Sequence, residues 1–319
     1  MSPSAVPHAA ATADGTVAAF YRFAPLTDLP GLRAALLEQG RLLGVKGSIL
    51  LAPEGVNGSL AGPRDRVAAM LECLCQRAGL DQLSARHDPV HDIPFRRFKV
   101  KLKREIVTLG IAELSPPPQS GRRVGPREWD ALLRDPQVLV IDTRNDYEYR
   151  IGSFAGAVNP QTAHFRDFPR FVAAQLGDQR ARPIAMFCTG GIRCEKASAY
   201  LLGQGFERVF QLDGGILRYL AETDPADSAW RGDCFVFDER VAVDHALNAA
   251  GYEQCPACRR PVAPSARGLP GYEAGVSCAA CHAGLPAGRR RTLRERARQV
   301  RLAAARGESH LGAVMAVDD

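Results

Sequence analysis

Residues 184–195 read Ile184-Ala-Met-Phe-Cys188-Thr-Gly-Gly-Ile-Arg193-Cys-Glu195. Four consecutive apolar residues ending at a glycine-bearing turn indicate a short strand buried on both faces. The turn leads into a helical stretch that begins near Glu195 and runs to Leu202. Buried strand, loop and helix in that order are the unit of a doubly wound α/β sheet, and chemistry in such sheets sits where loops leave the carboxyl ends of the strands. A second all-apolar run, VLVI at 138–141, leads into Asp142, so Asp142 and Cys188 both fall at strand ends. This α/β unit is expected over 124–224.

The Cys188 loop carries the sharpest chemical signal. Gly190 and Gly191 let the backbone turn its N–H groups inward, and with Thr189 and Ile192 they form an anion-binding nest at a helix N-terminus. A thiol at that nest with Arg193 beside it is favoured as thiolate, which makes Cys188 a nucleophile. The plain alternative is a core cysteine ending a strand. Cys194 is a candidate resolving thiol, able to form a disulfide with an oxidised Cys188; otherwise it is a packed residue at the helix start.

Working outward, the nine cysteines of this 319-residue chain argue against a disulfide framework and for thiol or metal chemistry in the cytoplasm. Cys255-x-x-Cys258 and Cys278-x-x-Cys281, 19 residues apart, have the spacing of a structural Cys₄ zinc site. His282 is a substitute ligand, and free thiols are the alternative. Upstream, strands separated by two helices suggest a ferredoxin-like α+β domain over 16–112. Its elements are a strand to Phe23, a helix capped by Asp28, a strand at 46–52, a turn at 53–58, a short return strand at 59–61, a second helix and a last strand at 96–109. Residues 1–15 are expected as a frayed tail without the basic start of a secretory signal, and the proline-rich 113–123 as a linker. The Cys- and Arg-rich remainder, 225–319, forms a small third region. No apolar run is long enough to span a membrane.

The net charge of +6 conceals a concentrated distribution. Residues 95–104 hold six basic residues and no acid (Arg96, Arg97, Lys99, Lys101, Lys103, Arg104), and 289–306 hold eight arginines and one glutamate, so the rest of the chain is net acidic. Confined positive charge suits a polyanion, because phosphate contacts release counterions. From Phe98 on, apolar and lysine residues alternate, so a strand buries Phe98, Val100 and Leu102 and presents Lys99, Lys101 and Lys103. The alternative is two solvated faces. The arginine stretch is either a helix along phosphates or a segment ordered only on binding.

Residues 188–193 resemble the active-site loop of rhodanese domains. Asp142-Thr-Arg144…Glu148…Gly152…Gly156-Ala-Val-Asn159 and Leu212-Asp-Gly-Gly-Ile216 resemble that domain's other motifs. Arg144 and Glu148 are expected to brace the loop as an i,i+4 pair, with Asp142 at the strand end. Residues 49–58, 99–107 and 231–243 resemble the bacterial tRNA uridine hydroxylase family, which joins an acylphosphatase-like domain, a rhodanese domain and a cysteine-bearing C-terminal region. The resemblance implies oxygen-dependent 5-hydroxylation of the wobble uridine, position 34, with tRNA as partner, O₂ as co-substrate, an unidentified reductant and a required Cys188.

No flavin, haem or nicotinamide fingerprint is evident. His87-Asp88 and His91-Asp92 offer the ligand types of a two-histidine, one-carboxylate iron site, but Pro89 interrupts them and they read as a polar loop. Two alternatives stand beside the hydroxylase. One is a sulfurtransferase carrying a Cys188 persulfide, and the other is an RNA-binding protein using the fold as scaffold.

Overall fold

The computed structural model describes residues 15–111, 114 and 119–308, so residues 1–14 of the expected tail and the three prolines at 116–118 lie outside the described residues, while Gly15, expected in the tail, opens the first strand. The first strand, β1 (Gly15–Phe23), alternates. Ala18 and Phe20 enter the core, while Ala19, Tyr21 and Phe23 face the other way. Asp28 caps α1 (Leu29–Leu43) by accepting from the Gly31 amide at 3.1 Å, with Pro30 in the first turn where its missing N–H costs nothing. Then come β2 (Lys46–Ala52), β3 (Gly55–Pro63), α2 (Arg64–Ala78), β4 (Ala85–Val90) and β5 (Phe98–Leu102).

The sheet order is β4-β1-β3-β2-β5. The first four strands pair antiparallel as in a ferredoxin-like fold, and β5 is added at the far edge, parallel to β2. Apolar residues of α1 and α2 pack into one core with Phe20, Ile49, Val56 and Leu60 of the sheet. Helix α1 lies close to β5 because Gly40 has no side chain; a Cβ there would sit 2.2 Å from the Phe98 ring.

Three sequence expectations need correction here. The 53–58 stretch is not all turn. Only Pro53 and Glu54 turn, and Gly55 and Gly58 lie inside β3, where the Arg22 carbonyl and the Phe20 ring leave no room for a Cβ. The basic strand ends at Leu102 instead of 109, because its partner β2 stops at Ala52; Leu102 itself is 42% exposed. The fourth ferredoxin strand is β4, which contains the His87-Asp88 stretch read as a loop. As an edge strand it tolerates Pro89.

The second body holds β6 (Arg122–Val124), α3 (Pro126–Arg134), β7 (Leu139–Asp142), α4 (Asp146–Tyr149), β8 (Gly152–Phe154), α5 (Phe168–Gln175), β9 (Ile184–Phe187), α6 (Ile192–Gly203), β10 (Val209–Leu212) and α7 (Gly215–Glu222). Its main sheet is parallel, in the order β6-β10-β9-β7. The core does not end near 224. Strand β11 (Trp230–Gly232) pairs with β8, and Trp230, Cys234, Val236 and Val243 pack with Phe154 and Phe187. A hairpin of β12 (Cys234–Phe235) and β13 (Ala242–Val243) follows, then β14 (Glu253–Gln254), β15 (Pro261–Val262) and α8 (Ala287–Ala305).

Candidate active site

Strand β9 delivers Cys188 to the start of α6, which begins at Ile192, three residues earlier than the sequence suggested. That places Arg193 and Cys194 in the first helical turn, where their amides help to stabilise charge on the sulfur. Gly191 takes φ 97°, a conformation glycine adopts without strain, and its N–H donates to Cys188 Sγ at 3.1 Å. Gly190 has open space where a side chain would be, so its flexibility is not sterically required. The loop is closed from behind by Ile216 and Leu217, whose amides donate to the Cys188 and Thr189 carbonyls. Gly215 allows that approach, since a Cβ would meet the Cys188 carbonyl at 2.5 Å.

Cys188 is fully buried at the floor of a cleft. Burial by itself would raise its thiol. The Cys194 thiol hydrogen-bonded to it, the Arg193 charge and the Arg193 and Cys194 amides outweigh burial and bring it down to about 6. Cys194 moves the other way, well above the ordinary range, through burial and the adjacent Cys188. It therefore keeps its proton and acts as donor, with Thr143 Oγ1 3.6 Å away. The thiolate should form as pH rises through about 6 and be lost below it. The ultraviolet thiolate absorbance of the protein minus that of Cys188→Ser should show this step, and a step at the free-thiol value would contradict it.

The expected Arg144–Glu148 brace is not formed. Asn145 caps α4, and its amide donates to Glu148. Arg144 lies before that helix, turns back, and pairs with Asp142 at 2.6 Å and the Gly152 carbonyl. Glu148 instead receives both Arg193 terminal nitrogens at 2.7 and 2.8 Å. Burial would raise the Glu148 carboxyl, but Arg193 holds it below the usual carboxylate range. This buried fork fixes Arg193, whose Nη2 also donates to Thr189 Oγ1 at 3.3 Å. Glu148→Ala leaves a buried guanidinium without its carboxylate and should cost about 3–5 kcal/mol in urea unfolding. A loss under about 1 kcal/mol would show that the fork contributes little.

The cleft, about 1270 Å³, lies between this loop and the uncovered face of the first sheet. Sequence reading missed the residues that join the two bodies, because each contact links distant segments. Tyr21 donates to Glu195 at 3.1 Å, and Arg123 and Gln211 reach the same carboxylate at 2.6 and 3.3 Å. Burial and Glu195 push the Tyr21 phenol far up, so it remains a donor. Lys196, fully buried, pairs with Glu54 at 2.8 Å and Glu105 at 2.5 Å. The only sequence signal was Tyr21 on the outward phase of β1.

The basic strand adjoins this cleft. In the β2–β5 register Lys99 stands beside Ser48 and Lys101 beside Leu50, and both of those β2 residues line the cleft. Partners in register share a face, so the lysines continue the cleft wall. Lys103 follows on the same alternation. Arg97, Lys99, Lys101, Lys103 and Arg104 are without acidic partners among the described residues, but Arg96 pairs with Glu239 and is removed from the free cationic set. Burial first, then Lys101, Arg97 and Arg259, lower the Lys99 ammonium.

In the C-terminal region the sulfurs of Cys255, Cys258, Cys278 and Cys281 all lie within 4.8 Å of one another. Three of the separations are 3.6 to 3.7 Å. Four thiolates about 2.3 Å from one ion span edges of about 3.8 Å, so the group fits a tetrahedral metal. His282 is outside it, held by Ser277 and Arg290. His87 and His91 gather no metal-binding group among the described residues. The arginine stretch is the helix α8. Leu293 and Ala297 dock it on Val276, while Arg294 and Arg298 pair with Glu273 and Glu295.

A cysteine held as thiolate by an amide loop at the end of a parallel strand defines a rhodanese-type thiol site, here facing an acylphosphatase-like sheet. Residues 125–222 match the Rhodanese-like domain and residues 15–106 the UPF0176 acylphosphatase like domain. A tRNA uridine(34) hydroxylase of Agrobacterium fabrum is 47% identical over 307 residues, covering 96% of this chain and 98% of that one. The chain belongs to the tRNA uridine(34) hydroxylase family. Among solved structures, a rhodanese-like domain protein from Staphylococcus aureus is similar at 21% identity, over 31% of this chain and 90% of that one, with TM-score 0.26. An acylphosphatase from Coxiella burnetii is similar at 14% identity, over 28% and 94%, with TM-score 0.23.

Proposed function

We propose that this protein hydroxylates carbon 5 of uridine 34 in tRNA, using Cys188 at the floor of the interdomain cleft. One atom of O₂ enters the C–H bond, and the other leaves as water at the expense of two electrons from a reductant. The observation that carries the reading is the juxtaposition of the Cys188 thiolate with a sheet face that continues into the lysine strand. A reactive sulfur and a polyanion surface thus share one opening. The near-full-length relative supports the same substrate.

Cys188 is the nucleophile presented to the bound base, Arg193 and the loop amides hold its charge, and Cys194 is the resolving partner. When a peroxide oxidises Cys188 to a sulfenic acid, with release of water, attack by the Cys194 sulfur forms the disulfide, and the Cys194 proton leaves with the sulfenic hydroxyl as a second water. The four C-terminal cysteines hold one zinc, which with four thiolates and no open position is structural. A cytoplasmic location follows from the substrate; among the described residues no helix is long and apolar enough to cross a membrane.

Replacing Lys99, Lys101 and Lys103 with glutamate should weaken tRNA binding and flatten its salt dependence. The slope of log K against log salt should fall by about 0.7 for each single-stranded phosphate the strand no longer neutralises. Unchanged affinity and slope would remove this strand from the RNA surface.

A further inference from the structure

We infer that Phe237 is the platform on which an RNA base entering the Cys188 cleft stacks, a reading that rests on tRNA being the substrate. Phe237 is 64% exposed, one of few large apolar side chains so placed among the described residues, and it lines the cleft together with Cys188. Its ring is braced. The Arg193 guanidinium lies 5.8 Å from its centroid, and Phe235 meets it edge-on at 5.1 Å and 85°. Phe235 is itself buried and packed against Tyr147. Arg193 cannot swing away, because Glu148 holds both its terminal nitrogens.

The loop that carries Phe237 is tied to the first body and stiffened from within. The Glu239 amide donates to the Pro94 carbonyl at 2.9 Å, and its carboxylate pairs with Arg96, at the start of the basic stretch. Within the loop itself, Asp238 holds Arg240 through a forked pair. Val241 sits at φ 63°, a conformation a β-branched residue adopts only when its surroundings impose it. An exposed aromatic fixed in this way, lining one cleft with a thiolate and with the sheet face that the lysine strand extends, matches the chemistry of single-stranded nucleic acid. A base stacks on the ring while its phosphates meet the cations.

The test uses the full-length protein and an anticodon stem-loop RNA bearing uridine at the wobble position. For Phe237→Ala, the KM in the hydroxylation assay should rise about tenfold or more, with kcat changed far less, and Phe237→Trp should restore it. The two native tryptophans, Trp129 and Trp230, are buried. Added emission from Phe237→Trp therefore reports the platform, and the stem-loop should quench it. A wild-type KM in Phe237→Ala, or emission from Phe237→Trp that stays constant up to saturating RNA, would overturn the inference. If the wild-type protein leaves uridine unmodified, the functional reading fails, while the quenching experiment still decides whether a base stacks here.

Discussion

Replacing Cys188 with serine should abolish uridine modification, lowering the rate by roughly 10³-fold or more, while the protein keeps its melting temperature within a few degrees. The two side chains have nearly the same shape, and the rhodanese-type core around position 188 is otherwise untouched. What changes is charge. The Gly191 amide, the amides at the start of α6, the Cys194 thiol and Arg193 are arranged to favour an anion, and they bring the thiol to about 6. A serine hydroxyl in the same cup stays protonated at neutral pH and is a far weaker nucleophile. Nucleoside analysis of tRNA after single-turnover incubation reads the rate, and thermal unfolding reads the fold. Undiminished modification by the serine variant would remove Cys188 from the chemistry.

The second large effect concerns the metal. Changing Cys255 and Cys258 together to serine should reduce bound zinc from about one per chain to none. It should also free the C-terminal region, including α8, to rapid proteolysis. Between β13 and α8 the chain has only the two-residue strands β14 and β15, a short 3₁₀ helix at Pro264–Gly268 and small apolar clusters around the cysteines and Val276. A structural zinc bound by four thiolates contributes on the order of 10–16 kcal/mol, which is folding free energy for a segment of this kind. The sheets of the first two bodies have their own cores and should survive. Elemental analysis of the wild-type protein that found no zinc would refute the assignment at once.

The locally encoded features were legible in the sequence. The strand before Cys188, the glycine turn, the Asp28 cap and the two Cys-x-x-Cys knuckles are each decided by a few neighbouring residues. Pairings across long separations were not. Arg144 and Glu148 stand four apart, as a helical ion pair does, but the Asn145 cap starts α4 after Arg144 and sends the two side chains to different partners. Glu148 finds Arg193, 45 positions away, and Tyr21 finds Glu195, 174 positions away. Neither distance leaves a periodic trace. Strand β4 was missed for a related reason. Its polar, proline-containing sequence is compatible with an edge strand only once β1 supplies the other half of the ladder.

The most direct test of the proposed chemistry is mass spectrometry of nucleosides from unmodified tRNA incubated with the full-length protein, a reductant and isotopically labelled dioxygen. The expected product is uridine at position 34 carrying one labelled oxygen. Thiolated uridine in its place, or uridine returned unchanged while the protein consumes thiosulfate, would contradict it.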